Sequence, residues 1–128
     1  MSPDSDPMPP ILHVCGWQAP IPVPGDVNTA GAEDSPFVTP DGGMLYFFFT
    51  PDRSVPPAKQ LLDGVTGIYV TRREGGAWRQ VERVLLQAPG KLALDGCPTV
   101  AGDTLWFCSA REGYTGVSTF TARLVEGR

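Results

Sequence analysis

The chain has 128 residues, 41% of them hydrophobic and 19% charged, with a net charge of −4 at pH 7. That is the size of one small domain. The acidic balance argues against non-specific binding to nucleic acid or to an anionic membrane surface, and no apolar run is long enough to cross a bilayer as a helix.

Residues 1–10, "MSPDSDPMPP", have no basic start and no apolar core, so they read as a flexible leader rather than a signal peptide. With no targeting segment in view, the default location is cytoplasmic. His13 is the only histidine, and with Cys15 it offers two ligands on one strand face, too few for a zinc site. A strand can begin near Trp17, but Pro20, Pro22 and Pro24 would confine it to a sheet edge. Residues 36–39 read as a strand, followed by the turn "PDGG" and a second strand over 43–49. That second strand contains the unbroken run Met44, Leu45, Tyr46, Phe47, Phe48 and Phe49, a pattern expected of a strand buried on both faces. Residues 50–66 form a long connection with room for one helical turn within 56–64. Strands follow over 67–73 and 78–86, with the turn "REGG" between them. Further strands are expected at 97–100, 104–109 and 117–124, separated by "AGD" and by the short link 110–115.

Charge is unevenly distributed. Residues 1–52 carry seven acids and no Lys or Arg, whereas residues 53–128 carry all ten bases and seven acids. The acids of the first part are therefore balanced by the second part, by a partner or by solvent. Cys15, Cys97 and Cys108 form no CxxC pair, and the apolar strand contexts of the last two suggest buried, reduced thiols.

The chain repeats itself. Asp34 follows Trp17 by seventeen residues, and Asp95 follows Trp78 by the same number. "DSPFVTPDGGMLYFFF" then matches "DGCPTVAGDTLWFCS", and "GIYVTRREGGAW" matches "GVSTFTARLVEGR", with small slippage. The units run over residues 17–77 and 78–128. Each reads as four short antiparallel strands, though the second has no counterpart of 78–86. The fold class is all-β.

Repeated four-stranded units suggest the blades of a β-propeller. "SPFVTPDGGMLYF" and "CPTVAGDTLWFCSAREG" resemble the WD40-like (PD40) repeats of TolB-type propellers, in which Asp-x-x-Pro precedes Pro-Asp-Gly and an aromatic strand ends in Ser-x-Arg. The first unit matches at Asp34, Pro36, Pro40, Asp41, Gly42, Leu45, Tyr46 and Phe47. The second matches at Asp95, Pro98, Leu105, Trp106, Phe107, Ser109 and Arg111, and departs from the pattern with "AGD". The resemblance implies a propeller of about six blades. Two blades then imply a fragment of a longer chain, with residues 11–128 forming a partial propeller domain.

In such a blade the first strand lines a central channel. Glu33, Asp34, Arg53, Asp95 and Arg111 are then the candidate binding residues on the channel face. Their alternative role is structural, because an aspartate at the start of an inner strand bonds backbone amides or an arginine. Asp41 is expected to serve its turn, and Trp17, Trp78 and Trp106 to pack between blades. Ser35 has neither a histidine nor a nucleophile elbow beside it, and no catalytic residue, metal ligand or cofactor is expected. These residues favour a non-catalytic module that binds a protein or small polar ligand. They leave self-association through open blade edges possible. The alternative is a piece of a propeller-fold glycoside hydrolase, in which a carboxylate pair such as Asp34 and Asp95 would act.

Overall fold

Tight turns and cross-strand pairs build the fold outward from local hairpins. The computed structural model describes residues 20–125; the leader, His13, Cys15 and Trp17 lie outside the described residues. Within this range there are seven strands and one helical turn. They are β1 (Ala32–Val38), β2 (Met44–Thr50), α1 (Pro57–Gln60), β3 (Gly67–Glu74), β4 (Ala77–Arg83), β5 (Ala93–Ala101), β6 (Thr104–Arg111) and β7 (Ser118–Arg123). A four-stranded sheet runs β1-β2-β3-β4 and a three-stranded sheet runs β5-β6-β7, with neighbouring strands antiparallel. The all-β class and the strand order follow the sequence reading. The count is four and three, the second unit lacking a counterpart of the strand expected at 78–86, and the described residues close neither a barrel nor a ring. No helix among them is long and apolar enough to cross a membrane.

Turn residues account for the hairpins. Asp41 Oδ1 accepts from the Thr39 hydroxyl at 2.5 Å and the Gly43 amide at 3.0 Å, while Gly42 takes φ +71° and donates its amide to the Thr39 carbonyl. The Thr39 hydroxyl and then the Gly43 amide hold the Asp41 carboxyl below its usual range, as expected for a carboxylate that organises a turn. Between β3 and β4, Gly75 and Gly76 both take positive φ (56° and 85°), the two-residue turn whose twist matches the flanking strands.

The inner strands begin earlier than the expected 36–39 and 97–100. β1 and β5 each start about four residues before those limits and cross a bulge, between Asp34 and Phe37 in one and between Gly96 and Thr99 in the other. Polar or small residues in 32–35 and 93–96 hide these starts from any apolar pattern. Pro36 and Pro98 sit inside the bulges, where the ladder does not need an amide donor. The bulged residues Ser35 and Cys97 both hold the left-handed conformation, at φ 50° and 53°. This match sets the alignment of the two units. Glu33 is equivalent to Asp95 and Asp34 to Gly96, one residue off the Trp-to-Asp spacing.

Packing follows the alternation of β2. Leu45 and Phe47 on one face are buried with Val27 and Trp78, and Phe49, Tyr69 and Val81 pack around them. The Tyr69 ring stacks on Phe47 at 6.0 Å and meets Phe49 edge-on at 5.4 Å. Burying each large side chain of this cluster contributes about 2–3 kcal/mol. On the other face, Phe48 lies against β5, where a Cβ added to Gly96 would come within 3.3 Å of its ring. Both faces of the apolar run are thus covered, one by the strap before β1 and one by the second sheet.

That strap crosses the first sheet. The Asp26 amide donates to the Trp78 carbonyl at 2.9 Å, and the Trp78 amide donates to the Pro24 carbonyl at 3.0 Å. Gly25 between them, at φ +112°, lies so close that a Cβ would sit 2.1 Å from the Trp78 oxygen. Asp26 also pairs with Arg79 at 3.1 Å, so one acid of the uneven first part is matched by a base of the second. Trp78 is buried against Val27, Leu45 and Phe47, on the face of the first sheet turned away from the second rather than between the two. Trp106 is 49% exposed, against the expectation that it packs between blades. Cys97 is exposed and Cys108 half-buried, which corrects the expectation of two buried thiols.

Candidate functional site

The five candidate residues divide into three groups. Asp95 and Arg111 come together. Asp95, only 3% exposed, stands opposite Ser109 in the β5–β6 ladder, and Arg111 lies two residues on along the same face of β6. Asp95 Oδ1 accepts from the Ser109 hydroxyl at 2.5 Å and from Arg111 Nη2 at 2.8 Å. Arg111 Nε donates to Ser109 Oγ at 2.9 Å. The guanidinium lies over the Phe120 and Phe107 rings, 4.6 and 5.3 Å from their centroids. A carboxylate, a hydroxyl and a planar cation held between aromatic rings form a latch across β5, β6 and β7. Sequence reasoning found its two ends, and the Ser-x-Arg motif contained its centre. The structure adds that Ser109 joins them.

Glu33 is used locally. Its carboxylate accepts from the Thr29 hydroxyl at 2.6 Å and from the Thr29 amide at 3.1 Å, fixing the approach to β1. The first sheet has no copy of the latch, because Phe49 and Pro51 take the places of Ser109 and Arg111. Arg53 is exposed in the turn after β2, within a segment shaped by Asp52, whose carboxylate accepts from the Ser54 hydroxyl and amide.

Asp34 stands at an opening between the two sheets. It is exposed, and its Oδ1 accepts from the Ser35 amide at 2.6 Å. It borders a cleft of about 230 Å³ between β1, β2, β5 and β6, with Ser35, Phe48, Asp95, Cys97 and Cys108 among the lining residues. The Ser35 hydroxyl and the Cys97 sulfur face one another across the two sheets at 3.9 Å. The paired bulges therefore bring a hydroxyl, a thiol and a carboxylate to one opening. Sequence reasoning missed Ser35 and Cys97 as neighbours. The available signal was that each precedes a proline at the same point in its repeat.

Asp34 and Asp95 border the same cleft without forming a proton-trading pair. Asp95 already takes two hydrogen bonds on one oxygen, one of them from a guanidinium. Among the described residues no three His, Cys, Asp or Glu side chains cluster as metal ligands.

A second, shallower hollow of about 390 Å³ lies beside the latch, lined by Leu61, Leu92, Arg111, Tyr114 and Val117 among others. The long connection over 50–66 reaches it by folding back on itself. Asp63 Oδ2 accepts from the Thr66 hydroxyl at 2.5 Å, and its other oxygen accepts from the amides of Val65 and Thr66. The Thr50 hydroxyl in turn donates to Thr66 Oγ1 at 3.1 Å, tying the connection to the end of β2. Burial pushes the Asp63 pKa up. The Thr66 hydroxyl, the two amides and the Arg83 charge together outweigh that effect, so its carboxyl titrates below the usual range. Arg83 donates to the carbonyls of Gly64 and Thr66 and closes the loop from β4. No family model, curated protein or solved structure matches this chain.

Proposed function

We propose that the chain is a piece of a non-catalytic, propeller-like module of the WD40-like, TolB type, and that the cleft between its two inner strands binds a basic group on a small polar ligand or a partner peptide. The observation that supports this most is the division of the acids. Asp95 is neutralised within the latch, whereas Asp34 stands exposed at the rim of the cleft beside Ser35 and Cys97. An exposed carboxylate at an opening partly walled by Phe48 suits a cation with an apolar neighbour. The equivalent bulges in β1 and β5 support the repeat reading, since the same non-glycine backbone strain recurs at the same point of each unit.

Isothermal titration of the full chain with a panel of short Lys- and Arg-containing peptides and small polar amines tests the reading. Binding is expected to weaken at least about tenfold in Asp34→Asn, equivalent to 1.4 kcal/mol or more, and to decline with added salt. Binding left unchanged by Asp34→Asn, or no binding across the panel, overturns it.

A further inference from the structure

The two sheets differ at their outer edges. β3 is covered by β4, but β7, its counterpart, pairs with β6 alone among the described residues. The edge of β7 is regular for six residues, "STFTAR", and carries a single charge at Arg123. It has neither the bulge nor the charge density that blunts an exposed strand. β4 has both: its register slips around Gln80 (φ 55°), it carries Arg79, Glu82 and Arg83, and Pro24–Asp26 cover its outer side at Trp78.

The same chain carries an arm suited to the β7 edge. By the bulge alignment, residues 15–21 hold, before β1, the place in the repeat that β4 holds before β5. In "PIPVP", Pro20, Pro22 and Pro24 alternate with Ile21 and Val23. When extended, such a segment has amide donors along one edge only. It can therefore add to a sheet and also end it. Ile21 is 82% exposed, and Val23 is also exposed. Val117, Leu124 and Val125, flanking β7, are exposed as well. The arm leaves from the first sheet, whereas β7 is the outer strand of the second. Its root at Pro24 is fixed to β4, and Val27 packs on the Phe47 face of the first sheet, opposite the Phe48 face that meets β5.

We propose that the arm running into Pro24 adds as a fourth strand to the outer edge of β7, unpaired among the described residues, in a second copy of this chain. The contact is head-to-tail, so it joins copies into a closed ring or an open series according to the rotation between them. This pairing does not depend on the cleft binding a ligand.

The test is sedimentation and light scattering of the full chain over a range of concentrations, with hydrogen exchange read at the β7 amides. Concentration-dependent oligomers with slow exchange in β7 are expected. The double variant Ile21→Asp, Val23→Asp changes two exposed side chains, so it should keep the circular dichroism spectrum while shifting the protein to monomer and speeding β7 exchange at least about tenfold. A synthetic peptide of residues 11–24 added to the unchanged protein should do the reverse to its edge: it should dissociate the oligomer while keeping β7 protected. A monomer at all concentrations overturns the proposal. So does an oligomer indifferent to both the double variant and the peptide. If the variant fails to fold, the peptide experiment alone decides.

Discussion

Asp95→Ala removes the carboxylate on which the latch converges. In the intact protein, Arg111 has 17% of its side chain exposed and Asp95 4%, with 2.8 Å between the charged atoms. Losing one partner of a buried ion pair costs about 3–5 kcal/mol, because the remaining charge stays desolvated. Here Arg111 retains Ser109 Oγ, a long contact of 3.4 Å to the Leu86 carbonyl and two aromatic faces. Those faces are worth about 0.5–2 kcal/mol, so the lower end of the range, about 3 kcal/mol, is expected. For a domain stable by about 5–15 kcal/mol this is a large fraction. Urea unfolding followed by tryptophan fluorescence and circular dichroism measures it as a fall in midpoint of about 1–3 M. The triple variant Asp95→Ala, Ser109→Ala, Arg111→Met removes every member of the network together and should recover to within about 1 kcal/mol of the starting protein. A loss below about 1 kcal/mol in Asp95→Ala would refute the view that the buried charge depends on its partner. A triple variant as unstable as the single one would show that the network stabilises the sheet by more than mutual neutralisation.

Two further outcomes follow from local geometry. Gly25→Ala places a methyl group on the Trp78 backbone and strains a positive φ, so it should cost about 2 kcal/mol or more and expose Trp78, read as a red shift in its fluorescence. Asp63 titrates lower in the folded chain than in the unfolded chain. Its contribution to stability is therefore present above the unfolded pKa of 3.8 and is lost as pH falls through the folded value. Asp63→Asn should reduce stability at pH 7 while flattening the decline below pH 4, as measured by urea midpoints across that range; a decline as steep as in the unchanged protein would remove Asp63 from it.

The parts of the fold legible in the sequence are those that composition alone specifies. β2, β3, β6 and β7 lie within a residue or two of their expected places, because apolar or β-branched runs end at Gly-containing turns. The starts of β1 and β5 were not legible. "AEDS" and "ALDG" carry no core pattern, and a bulge changes which face each residue takes. The candidate site was affected in the same way. Asp95 and Arg111 were identifiable as residue types, but their meeting depends on a register that the bulge sets. The one-residue offset also separates Asp34 from Asp95, which the Trp spacing had equated. Exposure of Trp106 and Cys97 depends on how the two sheets meet, and no local pattern encodes that.

The strap over Trp78 also bears on how the molecule opens and closes. Every hairpin in the two sheets joins strands adjacent in sequence, whereas the Gly25–Trp78 bridge joins residues more than fifty positions apart. Contacts of that separation form late, after the local ladders have made a surface to receive them. They are also the first to break in a partial opening, which leaves the four-stranded ladder standing while Val27 and Trp78 come apart. The strap is thus a latch on the kinetics of the fold, and the arm attached to it is released or held according to whether that one crossing is shut.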